Sequence, residues 1–586
     1  MKSADAEQPA QTGLGSALRA TRWLRLSRAR LALATAWLLF AVGMLYMTLL
    51  AVFFAGFDGP IGFDDGYVAA FAERLIAGRW LPYVDAVSLR GPVLYWASAI
   101  SQLLCGRFSW LGVHVLVGAA HLTTMISCFA LGLAVRRPLV GAIASGFEFL
   151  IFGCVMVDGP AWGVTGEPVA KPLLMLAVLM AALAVHRTRQ GRNRCVLLFL
   201  GGTFAALAGL TKQTCIPLIA PLLLWAMGSA VHARWDRRRL IVEAGSMLAG
   251  WLAPWAAVLS FYAAHGELYS LYYWTVEYVF SAYAEPYDWR SFMSGLAATA
   301  KIAPFASLLV VLLPTLSLIR CSSSMLGAGG NLLQRYAATG FEATVVLLTV
   351  GALAGGMSHM RFWGHHFIHA VPLGGLLLGL HIESALRFGR ARVRQTAQIM
   401  VALCLAAILT LTGHARYRDF VASRRGGGWT RAYPAALCQT IHNYSRPDEP
   451  IVVWGWDADL YIACKRLPGT RFVFSSPLAG IMPPFWHEAK PERIGRGARR
   501  VFLNELKRNR PALVLDMPAK LGGFSIARLP RVAALLRKRY CALPPTQDGG
   551  RTAYVWRRRD AKTCAGAHLP LGALPAGSPG PSPRLP

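Results

Sequence analysis

The chain has 586 residues, 55% of them hydrophobic and 15% charged, with a formal net charge of +31. Its mean hydropathy of +0.42 is too high for a soluble protein of this length, which identifies an integral membrane protein. The arginines cluster in short loops between apolar runs, where they encode orientation in a bilayer rather than affinity for nucleic acid. The 11 cysteines include no CxxC pair and no Cys/His metal spacing, so no zinc or iron–sulfur centre is indicated.

In chain order, residues 1–31 form a polar N-terminal segment. The apolar run after it has membrane length and no small-residue cleavage site, so it reads as an uncleaved first span rather than a signal peptide. Runs able to cross about 30 Å of hydrocarbon lie near 32–56, 110–134, 138–157, 168–186, 195–211, 214–231, 239–262, 295–319, 339–357, 366–384 and 396–413. This predicts an α-helical polytopic membrane domain of about eleven spans over 32–413. TKQTCIP leaves only a tight turn between 195–211 and 214–231, but the regular alternation of arginine clusters keeps them as two spans. The clusters Arg19–Arg30, Arg136–Arg137, Arg187–Arg194, Arg234–Arg239, Arg320 with Arg335, and Arg387–Arg394 all fall on one side, which the positive-inside rule makes cytoplasmic. The other side then receives a first loop at 58–108, the loop 158–167, the turn at Lys212, the aromatic loop 265–292, the loop 358–366 and everything after 413. A bacterial inner membrane with a cytoplasmic N-terminus is the expected setting.

Within the first loop, GFDDGYVAAFAERLIAGRWLPYVDAVSLRGPVLYW (62–96) is strongly polar directly behind a span. Apolar residues at helical spacing from Tyr67 through Phe71 to Leu75 predict a helix over 67–77 lying on the membrane surface, with Asp65 as its N-cap. Pro92 suits the first turn of a second helix. Arg90 just before it is either a residue snorkelling to headgroups or a cation suited to a phosphate. Glu167, in TGEPVAKP, is either a further acidic group of the site or a first-turn residue opposing a helix dipole, and Lys171 stands at the spacing to pair with it. The Tyr- and Trp-rich loop 267–289 reads as an interfacial aromatic belt or as a lid over a sugar.

From 414 to 562 the hydropathy falls. PIVVWGW (450–456), a helical ELKRNR followed by PALVLDM (505–517), a helix near 528–540 and TAYVWRR (552–558) predict a soluble extracytoplasmic α/β domain. Its arginines form either a solvated surface or a patch attracting lipid headgroups or saccharide phosphates. Cys438, Cys464, Cys541 and Cys564 allow three pairings in an oxidising compartment. Residues 563–586 lack the apolar content to bury a core.

The order of acidic pair, amphipathic helix, Gly-x-Trp, Pro-Tyr, basic-x-Pro and Tyr-Trp behind a first span resembles the first extracytoplasmic loop of polyprenyl-phosphate-dependent glycosyltransferases of the GT-C fold. The chain is most similar there to bacterial relatives of protein O-mannosyltransferases and of the lipid A aminoarabinose transferase. GLTKQTCIP (209–217), WGHHFIHAVP (363–372) and VVWGWDADLY (452–461) extend the resemblance. It implies a catalytic carboxylate at Asp64, with Asp65 as its acidic neighbour and Glu167 as a further candidate. It also implies a phosphate cation at Arg90, where Ser88-Leu-Arg-Gly-Pro departs from the family's Lys ahead of two prolines. Lys212, Arg361, His365 and His366 are further phosphate candidates, and Tyr67 and Tyr83 are candidate substrate contacts. The implied partners are a polyprenyl-phosphate sugar donor, a glycan, glycolipid or protein acceptor, and membrane lipids. No cofactor is expected, and the paired carboxylates leave a divalent metal open. The competing reading is a transporter or flippase of lipid-linked saccharides, although such proteins tend to carry internal repeats and mid-membrane charges, neither of which stands out here.

Overall fold

The computed structural model describes residues 33–52, 59–60, 64–155, 163–186, 192–232, 237–284, 288–290, 292–294, 297, 312–319, 332–358, 364–388, 434–482 and 489–559. The expected spans at 396–413 and, for the most part, 295–319 lie outside these residues, as do the N-terminal segment and the tail. Eight described helices are long and apolar enough to cross a membrane. They include α1 (Leu33–Val52), α4 (Trp110–Ala134), α6 (Gly166–His186), α9 (Arg237–Ala264) and the inner part of α11 (Leu332–Met357). The disputed pair is two helices, α7 (Arg192–Thr211) and α8 (Ile219–His232), joined by a 3-10 turn at Gln213–Leu218. The run at 138–157 is a shorter helix, α5 (Pro138–Phe149), that widens into a π-helical turn at Leu150–Val155. The last described span runs from a 3-10 turn at Gly364–Ala370 into α12 (Val371–Phe388).

The loops gather at two opposite ends of the bundle as the arginine pattern requires. At one end, Arg194 donates to Glu243 (3.0 Å), to the Ala184 carbonyl (2.9 Å) and to Ser229 (3.0 Å), and Arg137 lies 3.5 Å from Glu383. At the other end, the first loop, the start of α6, the turn at Lys212 and the end of α9 converge. There the first loop folds into α2 (Asp65–Ala77) and α3 (Pro92–Cys105), and α9 continues through a turn into α10 (Leu268–Tyr272) and two π turns ending at Tyr283.

Inside the bundle, Lys171 does not pair with Glu167, as its spacing suggests. It is fully buried, donates to Glu148 and lies 3.0 Å from His121 Nδ1 and 3.9 Å from the centre of the Phe152 ring. The reason is direction: Glu167 turns to Lys212, while Lys171, one turn deeper on α6, meets α4 and α5. Three helices are thereby joined by one ionic cluster in a setting where an isolated charge is costly.

The C-terminal domain opens with α13 (Ala435–Tyr444) and carries a sheet of β1 (Ile451–Trp454), β2 (Leu513–Asp516), β3 (Tyr540–Ala542), β4 (Thr546–Asp548) and β5 (Arg551–Arg558). The order is β1-β2-β5-β3, with β1 and β2 parallel, β5 antiparallel to both β2 and β3, and β4 paired to β5. α14 (Asp459–Ala463), α15 (Ala498–Asn509) and α16 (Pro530–Arg539) cover it. Strand alternation divides the core. Ile451, Val453, Leu513 and Leu515 pack with Tyr67 and Phe71 of α2, whereas Val452, Trp454 and Val514 pack with Phe502 and Leu536 and with Leu81 and Tyr83 of the first loop. A bridge joins Cys438 to Cys464, and Cys541 is also disulfide-bonded.

The domain docks through its β1 side. Val87 N–H donates to the Arg471 carbonyl (2.8 Å), and a Cβ on Gly66 would stand 2.4 Å from the Asp459 nitrogen. This overturns the expected surface position of α2. The helix is covered on its other face as well, by α14, and Val68 to Glu73 are all fully buried. The small side chains Gly66, Ala69, Ala70 and Ala72 make that double covering possible. The aromatic segment likewise binds protein rather than standing alone: Tyr278 donates to the Arg493 carbonyl (2.6 Å), and Arg496 pairs with Glu277 (2.6 Å).

Two stability predictions follow from buried charge. Lys171→Met removes the ammonium from the Glu148 carboxylate, leaving only His121, 3.2 Å away, and should cost about 3–5 kcal/mol; the double variant with Glu148→Gln should regain most of it, as read by thermal unfolding in detergent. Asp516, at the end of β2, is pushed up from 3.8 to about 7 by burial, with bonds from Ser525 and from Ile526 N–H opposing the shift. The folded state therefore holds a proton that the unfolded chain releases near its ordinary value. Stability from this group is complete below about pH 4 and is lost as pH rises to about 7, by at most about 4 kcal/mol. Hydrogen exchange in β2, compared between wild type and Asp516→Asn at each pH, should show this slope only in the wild type.

Candidate functional site

Asp64 is the residue that enters α2. Its backbone is already helical (φ −86°, ψ −11°), and its side chain caps nothing. The carboxylate instead accepts a hydrogen bond from Arg90 Nη2 at 2.6 Å, in a pair whose side chains keep 15% and 19% of their exposure. The expected N-cap role of Asp65 is corrected as well. Asp65 is the first helical residue, is fully buried, and its Oδ1 accepts the Val164 N–H at 2.6 Å. It ties the first loop to the segment leading into α6.

Arg90 is held by its backbone from several directions. Tyr83 donates its hydroxyl to the Arg90 carbonyl (2.6 Å), Gln213 Nε2 donates to the Leu89 carbonyl (3.0 Å), and Tyr67 donates to the Val87 carbonyl (3.1 Å). The Arg90 N–H donates to Ser88 Oγ (3.2 Å), and Ser88 shares a short bond with the Tyr95 hydroxyl. The Tyr67 ring lies 5.6 Å from the guanidinium carbon. Gly91 is obligatory beside it, since a Cβ there would come within 1.9 Å of the Leu210 carbonyl oxygen at the end of α7. Burial works against the Arg90 charge, but the Asp64 carboxylate, with lesser contributions from Tyr95, Tyr67 and Glu167, more than offsets this and holds the guanidinium above its ordinary value. One nitrogen, Nη1, is buried without a hydrogen-bond partner among the described residues.

Glu167, in the first turn of α6, is buried and lies 2.7 Å from Lys212 Nζ. Lys212 precedes the 3-10 turn in an extended conformation (φ −140°, ψ 115°), which turns its side chain back from α7 toward α6. Asp64, Asp65, Tyr67, Tyr83, Arg90, Glu167 and Lys212 thus fall in one neighbourhood, with Tyr67 and Tyr83 turned to the loop that carries Arg90. His366 is buried in the 3-10 turn before α12. Arg361 and the side chain of His365 lie outside the described residues. His369 also lies within electrostatic reach of Glu167 and Lys212, buried with Nε2 at 3.1 Å from the Ala352 carbonyl oxygen. It belongs to the WGHHFIHAVP motif, but its step of one 3-10 turn from His366 becomes informative only once that turn is known. Ser88, Tyr95 and Gln213 were also not singled out in the sequence, because hydroxyl and amide groups carry no spacing signal.

No known protein family matches the chain, and no curated protein matches its sequence. Among solved structures it is similar to ArnT from Cupriavidus metallidurans bound to undecaprenyl phosphate, with 15% identity, a TM-score of 0.50 and coverage of 92% of this chain and 98% of that one. The fold is GT-C. The chain is also similar to the oligosaccharyltransferase of Archaeoglobus fulgidus in complex with Zn and sulfate, with 13% identity, a TM-score of 0.46 and coverage of 88% of this chain and 72% of that one. The expected GT-C architecture, a polytopic helical bundle with a C-terminal α/β domain, is therefore the observed one.

The contact at Gly91 is with backbone, which has no side-chain freedom to yield. Gly91→Ala should lower stability by about 1–3 kcal/mol and raise hydrogen exchange across 86–92, whereas Ser88→Ala should affect exchange only locally.

Proposed function

We propose that this protein is a glycosyltransferase that moves a sugar from a polyprenyl-phosphate donor to a glycan, glycolipid or protein acceptor, with inversion at the anomeric carbon. The observation that carries this reading is Arg90: a buried-edge guanidinium with one nitrogen on Asp64 and another, Nη1, without a partner among the described residues. A lipid phosphate supplies the acceptor atoms such a group lacks, and guanidinium geometry suits it. ArnT, whose fold this chain shares, was crystallised with undecaprenyl phosphate, which supports a lipid of that class here.

The chemistry follows from this arrangement. The acceptor hydroxyl oxygen attacks the anomeric carbon, a new C–O bond forms, and the bond from that carbon to the phosphate oxygen breaks. Asp64 accepts the hydroxyl proton, and the departing polyprenyl phosphate takes up negative charge beside Arg90 and Lys212. Donor binding competes for Arg90 and so releases Asp64 from its resting ion pair. Asp65 and Glu167 serve as positioning residues, the first fixing the 163–166 backbone and the second orienting Lys212. Protein cations rather than a metal ion are assigned to the leaving phosphate.

We assign the site end of the bundle and the C-terminal domain to the extracytoplasmic side of a bacterial inner membrane. The Cys438–Cys464 bridge supports this, since disulfides persist in oxidising compartments, and the arginine clusters at the opposite end support a cytoplasmic N-terminus.

Mass spectrometry of envelope glycans with and without the protein should reveal the loss of one defined sugar. With that substrate in hand, Asp64→Asn should lower kcat by about 10²–10⁴-fold at normal abundance. Arg90→Ala should lower kcat/KM for the donor by about 10²-fold, with partial recovery in Arg90→Lys. Full activity of Asp64→Asn would sink the assignment, and passage of lipid-linked sugar across vesicles without glycosidic product would point to a flippase instead.

A further inference from the structure

The C-terminal domain concentrates its positive charge at one corner. KRNR (507–510) closes α15, RKR (537–539) closes α16, and RRR (557–559) closes β5. α15 leads directly into β2 and α16 into β3, while β5 runs antiparallel to both, so all three basic ends meet where β2 and β3 begin. The contacts are direct: Arg558 Nη1 donates to the Arg510 carbonyl (2.8 Å), Arg559 N–H to the Arg539 carbonyl (2.9 Å), and Arg539 Nη1 to the Lys507 carbonyl (3.4 Å). Lys507, Arg508, Arg510, Arg559 and all of 537–539 are exposed. Helix C-termini favour basic residues through their dipoles, which accounts for the first two clusters. The end of a β-strand offers no such field, so RRR on β5 is left without that explanation.

Beside this ridge lies a groove of about 390 Å³ lined by Tyr444, Arg446, Glu449, Arg557 and Arg558, among others. Arg557 sits over the Tyr444 ring at 5.0 Å, Tyr444 keeps 37% of its exposure, and Glu449 pairs with Arg558 at 2.7 Å. A partly exposed tyrosine ring with Arg557 over it and Arg446 and Arg558 beside it offers apolar contact as well as charge, which fits a sugar ring bearing an anion better than a bare phosphate. The ridge runs along the sheet from the end of α15, where Arg508 lies 4.0 Å from Glu505, to β3, three strand spacings from the docked β1, about 14 Å, a length suited to a chain of several charged units.

We infer that this corner is a docking surface for an anionic glycan, a saccharide chain carrying phosphate or carboxylate groups, with Tyr444 and its arginines taking one sugar unit and the ridge taking the charges of its neighbours. The inference does not depend on the transfer chemistry, and binding tests it without turnover.

The full-length protein in phosphatidylcholine nanodiscs is titrated with fluorescent polygalacturonate, with neutral dextran of equal length as the control. Polygalacturonate should bind and dextran should not, with affinity falling about tenfold between roughly 0.05 and 0.3 M salt. The triple variant Arg537→Glu, Arg539→Glu, Arg559→Glu should lose at least about tenfold in affinity, and Tyr444→Ala should weaken binding while leaving the salt dependence unchanged. If the reversal variant melts early, the corresponding Gln substitutions replace it. Equal binding of dextran, or polygalacturonate binding unchanged in the triple variant, overturns the inference. So does a variant that differs from wild type only in attraction to phosphatidylglycerol vesicles, which would make the corner a lipid contact. Tighter binding of a single-stranded DNA oligomer than of polygalacturonate would reduce it to a general polyanion surface and overturn the glycan assignment.

Discussion

The Asp64–Arg90 ion pair is the constraint around which the rest of the site is arranged. The two residues are 26 apart in sequence and 2.6 Å apart in space, and each is fixed by a different part of the fold. Asp64 is set by the start of α2. Arg90 is set by a loop whose carbonyls are held by Tyr67, Tyr83 and Gln213 and whose next residue must be glycine to clear α7. A partly desolvated pair attracts more strongly than one in water, but it also strands whichever partner loses the other. The pair is therefore stable at rest and responsive to an anion that satisfies the guanidinium better.

Neighbouring contacts make the geometry rigid. Asp65 fixes the backbone entering α6, Glu167 on α6 meets Lys212 at the end of α7, and Gln213 returns to the Arg90 loop. These links form a closed circuit through three segments, so a shift in one reaches the others without a long mechanical path. Deeper on α6, the Lys171 cluster anchors the same helix to α4 and α5. One helix thus carries an ion cluster inside the bundle and a second ion pair, Glu167 with Lys212, at its rim.

Much of this was legible in the sequence, and the parts that were not share a physical cause. Hydropathy located the eight spans found among the described residues, because it depends on residue type averaged over many positions. β1, β2, β5 and the helices before β2 and β3 were legible from alternation and periodicity. What failed were pairings: Asp65 with Val164, Lys171 with Glu148 and His121, and the covering of α2 by the C-terminal domain. Helical spacing places Lys171 near Glu167, but it cannot reveal that each has a better partner on another helix. The periodicity of α2 shows one apolar face, whereas Gly66, Ala69 and Ala70, which admit a second neighbour, look neutral in any hydropathy count.

The close seating of Asp459 against Gly66 and of the Arg471 carbonyl on Val87 N–H bears on the order in which the molecule is made. The segment that carries the Asp64–Arg90 pair is synthesised early, and the residues that cover it, Asp459 and Arg471 among them, come much later. During synthesis α2 emerges with one of its two apolar coverings absent, and it remains incomplete until the sheet has formed. A chain interrupted between α7 and the end of the domain contains Asp64, Arg90 and the residues that bond to the Arg90 loop, but not the contacts that cover α2 and brace Val87. The neighbourhood of the Asp64–Arg90 pair therefore reaches its full packing only after the strands and helices of the domain have been made.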